Sequence, residues 1–358
     1  MKVIIAGGGT GGHLFPGIAI AEEFLKRDQN NNILFIGTER GLEKRILGDL
    51  GFKLATLDVE GIKGKGLMKI IGALIKIPGS LVQSCKLIRE FRPDVVIGVG
   101  GYSSGPVVMA AHFMSIKTAV AEQNALPGIT NRILGKFVDR IFITFSETKD
   151  WFAVTKTIVS GNPVRAAFFA GVKEPEEKAG KFTLLIFGGS QGSHAINITV
   201  LDALPYLEGI RTNLKIVHQT GGADLKIVSE TYQSKGFDAH VLPFITDMAS
   251  AYRYSDLLIC RAGATSIAEV TACGKASILI PFPYAANDHQ TKNAEALVKA
   301  GAAVLIREAE LDGKKLAEAI HHFYRHPEII RKMEIKSASL GNEKAASDIV
   351  DVCIGMVM

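Results

Sequence analysis

Two stretches of this chain follow one plan, and that repetition limits the fold more than any other feature. Ile4–Ala6 runs into Gly7-Gly8-Gly9-Thr10-Gly11-Gly12-His13, and Leu184–Phe187 runs into Gly188-Gly189-Ser190-Gln191-Gly192-Ser193-His194. Each is a short apolar run, a glycine turn and the start of a helical pattern. Such units build parallel sheets with helices on both faces. Two of them predict two similar α/β halves rather than one cofactor domain beside an unrelated partner.

With 358 residues, 47% of them hydrophobic, the chain can fill two cores. Its four cysteines, Cys85, Cys260, Cys273 and Cys353, are widely spaced without a Cys-x-x-Cys, which suggests neither zinc nor disulfides. Met1-Lys2-Val3-Ile4-Ile5 meets glycines before any signal-like apolar core forms, and no uninterrupted apolar run approaches the roughly 18 residues of a membrane span. Neither a leader nor a spanning segment is expected. The net charge of +5 is unevenly spread: residues 1–165 hold 21 Lys/Arg against 14 Asp/Glu, and residues 166–358 hold 20 against 22. The basic half suits an anionic substrate or membrane surface. No interleaved aromatic-basic pattern favours nucleic acid.

The stretch 256–294 carries the clearest chemistry. Leu257–Cys260 is a buried strand, Arg261-Ala262-Gly263 a turn, and a helix follows to Gly274; Ala276–Phe282 repeats the strand, and Asp288 is placed to cap a helix ending at Gly301. Two helix starts at one sheet edge form an anion site of the kind that binds phosphate. Glu269, about a turn and a half into the first helix, can accept from a ribose diol, and Gln290 offers an amide to sugar hydroxyls.

In the first half, Gly7, Gly9 and Gly12 satisfy G-x-G-x-x-G, with Glu39 available as the ribose acid of a nicotinamide dehydrogenase. A helix is expected from about Pro16 to Leu25. His13, at the mouth of the glycine loop, is a candidate general base, or else a side chain packed on that loop. Residues 61–92 hold seven basic residues and one acid around an apolar run that ends at Pro78-Gly79. They fit either a core helix with snorkelling lysines or a face dipping into a membrane interface. A turn at 100–106, polar residues Glu122, Gln123 and Asn124 after a strand, and a charged linker at 173–181 complete this half. The last residues, 343–358, can form one amphipathic helix returning to the first half.

GGGTGGHLFPGIAIA (7–21), GGYSSGP (100–106), EQNALPGITNR (122–132), GNPVR (161–165), GGSQGSHAIN (188–197), PFITDMASAY (243–252) and CRAGATSIAE…PFPYAANDHQTKNA (260–294) stand in this order. Together they resemble the MurG family, the bacterial glycosyltransferases of family 28 that convert lipid I to lipid II. The resemblance covers nearly the whole chain. It implies a GT-B fold, two Rossmann-like doubly wound α/β domains facing a cleft. Residues 1–165 would take the lipid-linked acceptor (lipid I), residues 166–340 UDP-GlcNAc, and residues 341–358 would pack back on the first domain. Carried over, the donor contacts fall on Thr10, Gly11, Gly12, Asn124, Arg165, Ser190, Ile245, Ala264, Thr265, Ser266, Ile267, Ala268, Glu269 and Gln290. In the family, the backbone near Ile245 reads uracil and Glu269 holds the ribose. Ser190 approaches the phosphates and Gln290 holds GlcNAc. Thr291 departs from members with a second glutamine there.

The implied reaction is inverting transfer, with His13 as base and Glu122 as second choice. No Asp-x-Asp is present, so neither metal nor other cofactor is expected. Two rivals frame the expectation. A dehydrogenase would leave the second glycine loop and Gln290 unexplained, and a non-catalytic sugar-nucleotide binder would not need His13. The membrane contact is assigned to an anionic surface through residues 61–92, on the cytoplasmic side of the bacterial inner membrane.

Overall fold

The computed structural model describes residues 1–8, 11–38, 41–58, 67–169, 180–285 and 288–358, with backbone alone for 41–42 and 67–77. Thr10, Glu39, Lys63, Lys65 and most of the expected linker lie outside the described residues. The chain divides into two compact units, 1–165 with 342–358, and 166–341.

The first unit is a seven-stranded parallel sheet. Its elements are β1 (Lys2–Ala6), α1 (Gly11–Arg27), β2 (Asn32–Gly37), α2 (Gly41–Asp49), β3 (Lys53–Thr56), α3 (Leu67–Phe91), β4 (Val95–Gly98), α4 (Ser104–Phe113), β5 (Lys117–Glu122), α5 (Ile129–Leu134), β6 (Arg140–Ile143) and β7 (Thr157–Val159). The order is β3-β2-β1-β4-β5-β6-β7, so chain direction across the sheet reverses between β1 and β4. Val3–Ala6 and Val95–Ile97 are fully buried because helices cover both faces.

Two helices depart from the sequence expectation. α1 begins at Gly11 rather than Pro16, which places His13 in its first turn and Pro16 inside it. Proline there forgoes one helical hydrogen bond, but the ring is buried and the helix face Leu14, Ile18 and Phe24 packs into the core. α3 likewise continues through Pro78 and Gly79. Its second half is held by tertiary packing: Ile88 is buried in a cluster with Val107 and Val108 of α4.

The second unit is a six-stranded parallel sheet. It comprises β8 (Phe182–Phe187), α6 (His194–Leu207), β9 (Leu214–Gln219), α7 (Leu225–Lys235), β10 (Ala239–Leu242), α8 (Met248–Tyr254), β11 (Leu257–Cys260), α9 (Ala264–Ala272), β12 (Ser277–Leu279), α10 (His289–Lys299), β13 (Ala303–Leu305), α11 (Gly313–Arg325) and α12 (Pro327–Leu340). The order β10-β9-β8-β11-β12-β13 reverses between β8 and β11. After it the chain returns to the first unit, where α13 (Ala345–Val357) buries Ile349, Val350 and Cys353 among Leu14, Ile18 and Phe24. Both units are Rossmann-like, of the GT-B class. In such sheets ligands bind beyond the strands' carboxyl ends, at the reversal point.

Candidate active site

At that point in the second unit, the turn after β8 carries Ser190 and the turn after β11 ends at Gly263, ahead of α9. A buried arginine joins the two edges. Arg261 donates to Ser193 Oγ (2.7 Å) and to the carbonyls of Ile280 (3.2 Å) and Pro281 (3.1 Å), and pairs with Glu308. These bonds fix the last residue before α6 and the two residues that follow β12 to one side chain.

Along α9, Ala264, Thr265 and Ile267 are buried and Ser266 and Ala268 partly exposed. Glu269 is only 8% exposed, and its Oε2 accepts from the Tyr252 hydroxyl at 3.2 Å. Tyr252 is wholly buried; burial, then the charge of Glu269, drives its ionisation far upward, so it stays a donor. The tyrosine holds one carboxylate oxygen. Burial, and secondly Glu269, also push up the thiols of Cys260 and Cys273, which leaves both un-ionised and unsuited to act as nucleophiles.

Gln290 lies in the first turn of α10, and its Oε1 accepts from the Phe282 N–H at 2.9 Å. That contact orients the amide, whose NH₂ faces its next partner as a donor. Asp288 precedes the helix, but contrary to expectation it caps no backbone N–H: its φ is 54°, and its Oδ1 accepts from the Thr291 hydroxyl at 2.6 Å. Thr291 is thus engaged within the protein rather than offered to a sugar. Ile245, buried in the loop before α8, gives its N–H to Gln219 Oε1 at 2.7 Å.

In the first unit, the turns after β1 and β4 touch backbone to backbone. A methyl on Gly101 would overlap the Gly8 carbonyl, and one on Gly7 would lie 2.8 Å from the carbonyl of Gly100. The His13 ring rests on this floor: a methyl on Gly100, whose φ is +95°, would stand 2.6 Å from Nδ1. Gly11 and Gly12 precede it in α1. Glu122, at the end of β5, is 3% exposed and already accepts four hydrogen bonds, from Asn124 N (3.0 Å), Asn124 Nδ2 (3.3 Å), Gly128 N (3.0 Å) and Asn131 Nδ2 (2.9 Å). Its carboxylate braces the loop 123–128. To act as a base it would have to break that brace. Arg165 stacks on the Phe15 ring at 4.9 Å; burial raises the pKa of Glu22 and Arg165 partly opposes the shift.

Sequence inspection passed over Tyr252, Gln219 and the role of Arg261. Each acts through a partner remote in sequence, and no local spacing reveals it.

The chain has clear relatives. The N-terminal domain of glycosyltransferase family 28 matches residues 3–143 and the C-terminal domain of that family matches residues 183–351. Over 357 residues the chain is 64% identical to the UDP-N-acetylglucosamine--N-acetylmuramyl-(pentapeptide) pyrophosphoryl-undecaprenol N-acetylglucosamine transferase of Syntrophus aciditrophicus, covering 100% of this chain and 99% of that one. It is 49% identical to the protein of the same name from Myxococcus xanthus, covering 100% and 94%. Among solved structures it resembles MurG of Acinetobacter baumannii, with TM-score 0.77, 29% identity and 99% of both chains covered. The UDP-GlcNAc 2-epimerase of Neisseria meningitidis bound to UDP-GlcNAc, at 15% identity and TM-score 0.70 over 99% of this chain and 100% of that one, shares the fold.

Proposed function

The chain belongs to glycosyltransferase family 28, and from that premise we propose that it moves N-acetylglucosamine from UDP-GlcNAc to the 4-hydroxyl of MurNAc in undecaprenyl-pyrophosphoryl-MurNAc-pentapeptide, converting lipid I to lipid II in peptidoglycan synthesis. One observation carries the assignment of the donor to the second unit. Ser190, Ile245, the 264–269 helix start and Gln290 all follow parallel strands at the carboxyl edge of one sheet.

In this reading uracil meets the backbone at Ile245, Glu269 accepts from the ribose, and Gln290 donates to GlcNAc. The diphosphate lies against the Ser190 turn and the starts of α6 and α9, whose N–H groups and dipoles favour an anion. The MurNAc oxygen attacks the anomeric carbon while the bond to the diphosphate breaks and UDP leaves. His13 takes the hydroxyl proton. Glu122, with its oxygens engaged, holds the loop of Asn124, and Arg165 supplies positive charge toward the leaving group. Gly11 and Gly12, in the first turn of α1, and Thr10 before them in sequence are the donor contacts proposed for the first unit.

The acceptor's lipid stays in the bilayer, so the protein works at a membrane surface. No helix among the described residues is long and apolar enough to cross one. Residues 61–92, with Lys63, Lys65, Lys69 and Lys76, are the proposed contact with anionic lipid on the cytoplasmic face. The exposed Val82 of α3 (71%) and Phe113 at the end of α4 (67%) support this reading, as does the positive charge of residues 1–165. Ligand protection tests the donor: UDP-GlcNAc and UDP should raise the melting temperature of the protein and NADH should not. Protection by NADH alone would overturn the proposal.

A further inference from the structure

Gln219 closes β9, is 1% exposed, and uses its amide at both ends. Nε2 donates to the Gly189 carbonyl at 2.7 Å, and Oε1 accepts from the Ile245 N–H at 2.7 Å. The orientation of the amide is fixed by its neighbours, since a carbonyl can only accept and an N–H only donate. Gly189 adjoins Ser190, the residue placed against the diphosphate. Ile245 is the residue placed against the base. One buried side chain therefore spans the two ends of the nucleotide site.

The surroundings leave this span little slack. A methyl on Gly192 would overlap the Thr220 carbonyl, and one on Gly221 the carbonyl of Gln191. Thr220 N–H donates to the Leu242 carbonyl at 3.0 Å. The loops after β8, β9 and β10 thus meet backbone to backbone, with the Gln219 amide as the side-chain link between the outer two.

We propose that Gln219 is a positioning residue that sets donor selectivity, holding the diphosphate turn and the base-reading segment at one separation and one orientation. The proposal rests on the donor reading above. With its N–H given to Gln219, Ile245 presents a nucleobase with its carbonyl. That acceptor suits the N3–H of uracil and opposes the N3 lone pair of cytosine.

Gln219→Leu keeps the volume and removes both hydrogen bonds, leaving a buried carbonyl and N–H without their partner. Calorimetric titration should show a Kd for UDP raised at least about tenfold and a preference for UDP over CDP reduced by a similar factor, with the donor KM changed more than kcat. Destabilisation alone would not move the UDP to CDP ratio. Gln219→Glu gives an independent test, because an ionised carboxylate would face the Gly189 carbonyl acceptor to acceptor, whereas a protonated one can donate to it. Its UDP affinity, divided by that of wild type at each pH to cancel His194, His218 and Asp224, should recover between about pH 8 and pH 5.5. If Gln219→Leu does not fold, this recovery decides the matter. Wild-type affinity and selectivity in Gln219→Leu, or no pH-dependent recovery in Gln219→Glu, would overturn the proposal while leaving the donor site standing. A wild-type protein that binds neither UDP nor CDP would refute the donor reading itself, and this inference with it.

Discussion

Glu269 and His13 divide binding from chemistry, and single substitutions should separate them. Glu269 is buried and held by Tyr252 on one oxygen. Glu269→Ala should weaken UDP and UDP-GlcNAc in parallel by about 1.5–3 kcal/mol, the range for hydrogen bonds to a charged group. Calorimetric titration with UDP measures this, and unchanged affinity would remove Glu269 from the ribose. His13→Ala should instead lower kcat by about 10²–10⁴ while UDP-GlcNAc still binds. Turnover within tenfold of wild type would remove His13 as the base.

At the scale of elements, a polar chain, buried except for the exposed His194 at its end, ties β9 to α6 and α7. His218 Nδ1 meets the Tyr232 hydroxyl at 3.0 Å and its Nε2 meets Asn197 Oδ1 at 3.0 Å; Asn197 Nδ2 donates to Asp224 at 2.8 Å, and His194 Nδ1 lies 3.0 Å from the same carboxylate. Burial pushes His218 down to about 3 from 6.5, so the unfolded chain takes up this proton more readily than the folded one. Stability should therefore fall as pH drops below about 6.5 toward 3 and gain no slope from His218 above it. Asp224 is opposed by burial, yet hydrogen bonds from Asn197 and His194 hold its carboxyl below 3.8. Its contribution is present above 3.8 and is lost in stronger acid. Urea unfolding at pH 7.5 and about 5.5 checks the histidine: lower stability at 5.5 is expected, and a slope unchanged in His218→Gln would contradict it. α3 yields a separate prediction. Lys69→Glu with Lys76→Glu should reduce sedimentation with anionic vesicles, most at low salt, and spare turnover of a short-chain soluble acceptor. Retained vesicle binding, or collapse of soluble turnover, would place the segment in core or active site.

The same scale shows what the sequence could reveal. β1, β4, β5, β8 and β11 are covered on both faces, so they read as continuous apolar runs beside glycine turns. β3 and β7 escape notice because they are three- or four-residue edge strands, half-exposed and without such a run, and β13, also at an edge, because its apolar run Ala302–Ile306 leads into Arg307 rather than a glycine turn. Pro16 and Pro78 obscure the start of α1 and the continuation of α3: Pro16 is tolerated because its ring is buried in the core, and the exposed Pro78 because the following turns of α3 pack through Ile88. Glu269 and Gln290 stand out through their distance from a glycine turn. Tyr252, 17 residues from Glu269, and Gln219, 30 and 26 residues from its two partners, become visible only after folding.

At the scale of the whole molecule, the proposed function gives two sheets built on one plan different tasks. The first unit, basic and completed by α13, is assigned the acceptor and the membrane, and the second the nucleotide. Transfer requires both tasks in one chain. The most direct measurement supplies purified protein with labelled UDP-GlcNAc and a short-chain lipid I analogue, with and without chelator, and follows the disaccharide product and UDP. One UDP per disaccharide is expected, at a rate that chelator leaves unchanged. UDP released without disaccharide, or a rate abolished by chelator and restored by Mg²⁺, would contradict a metal-free transfer of GlcNAc to the lipid-linked sugar.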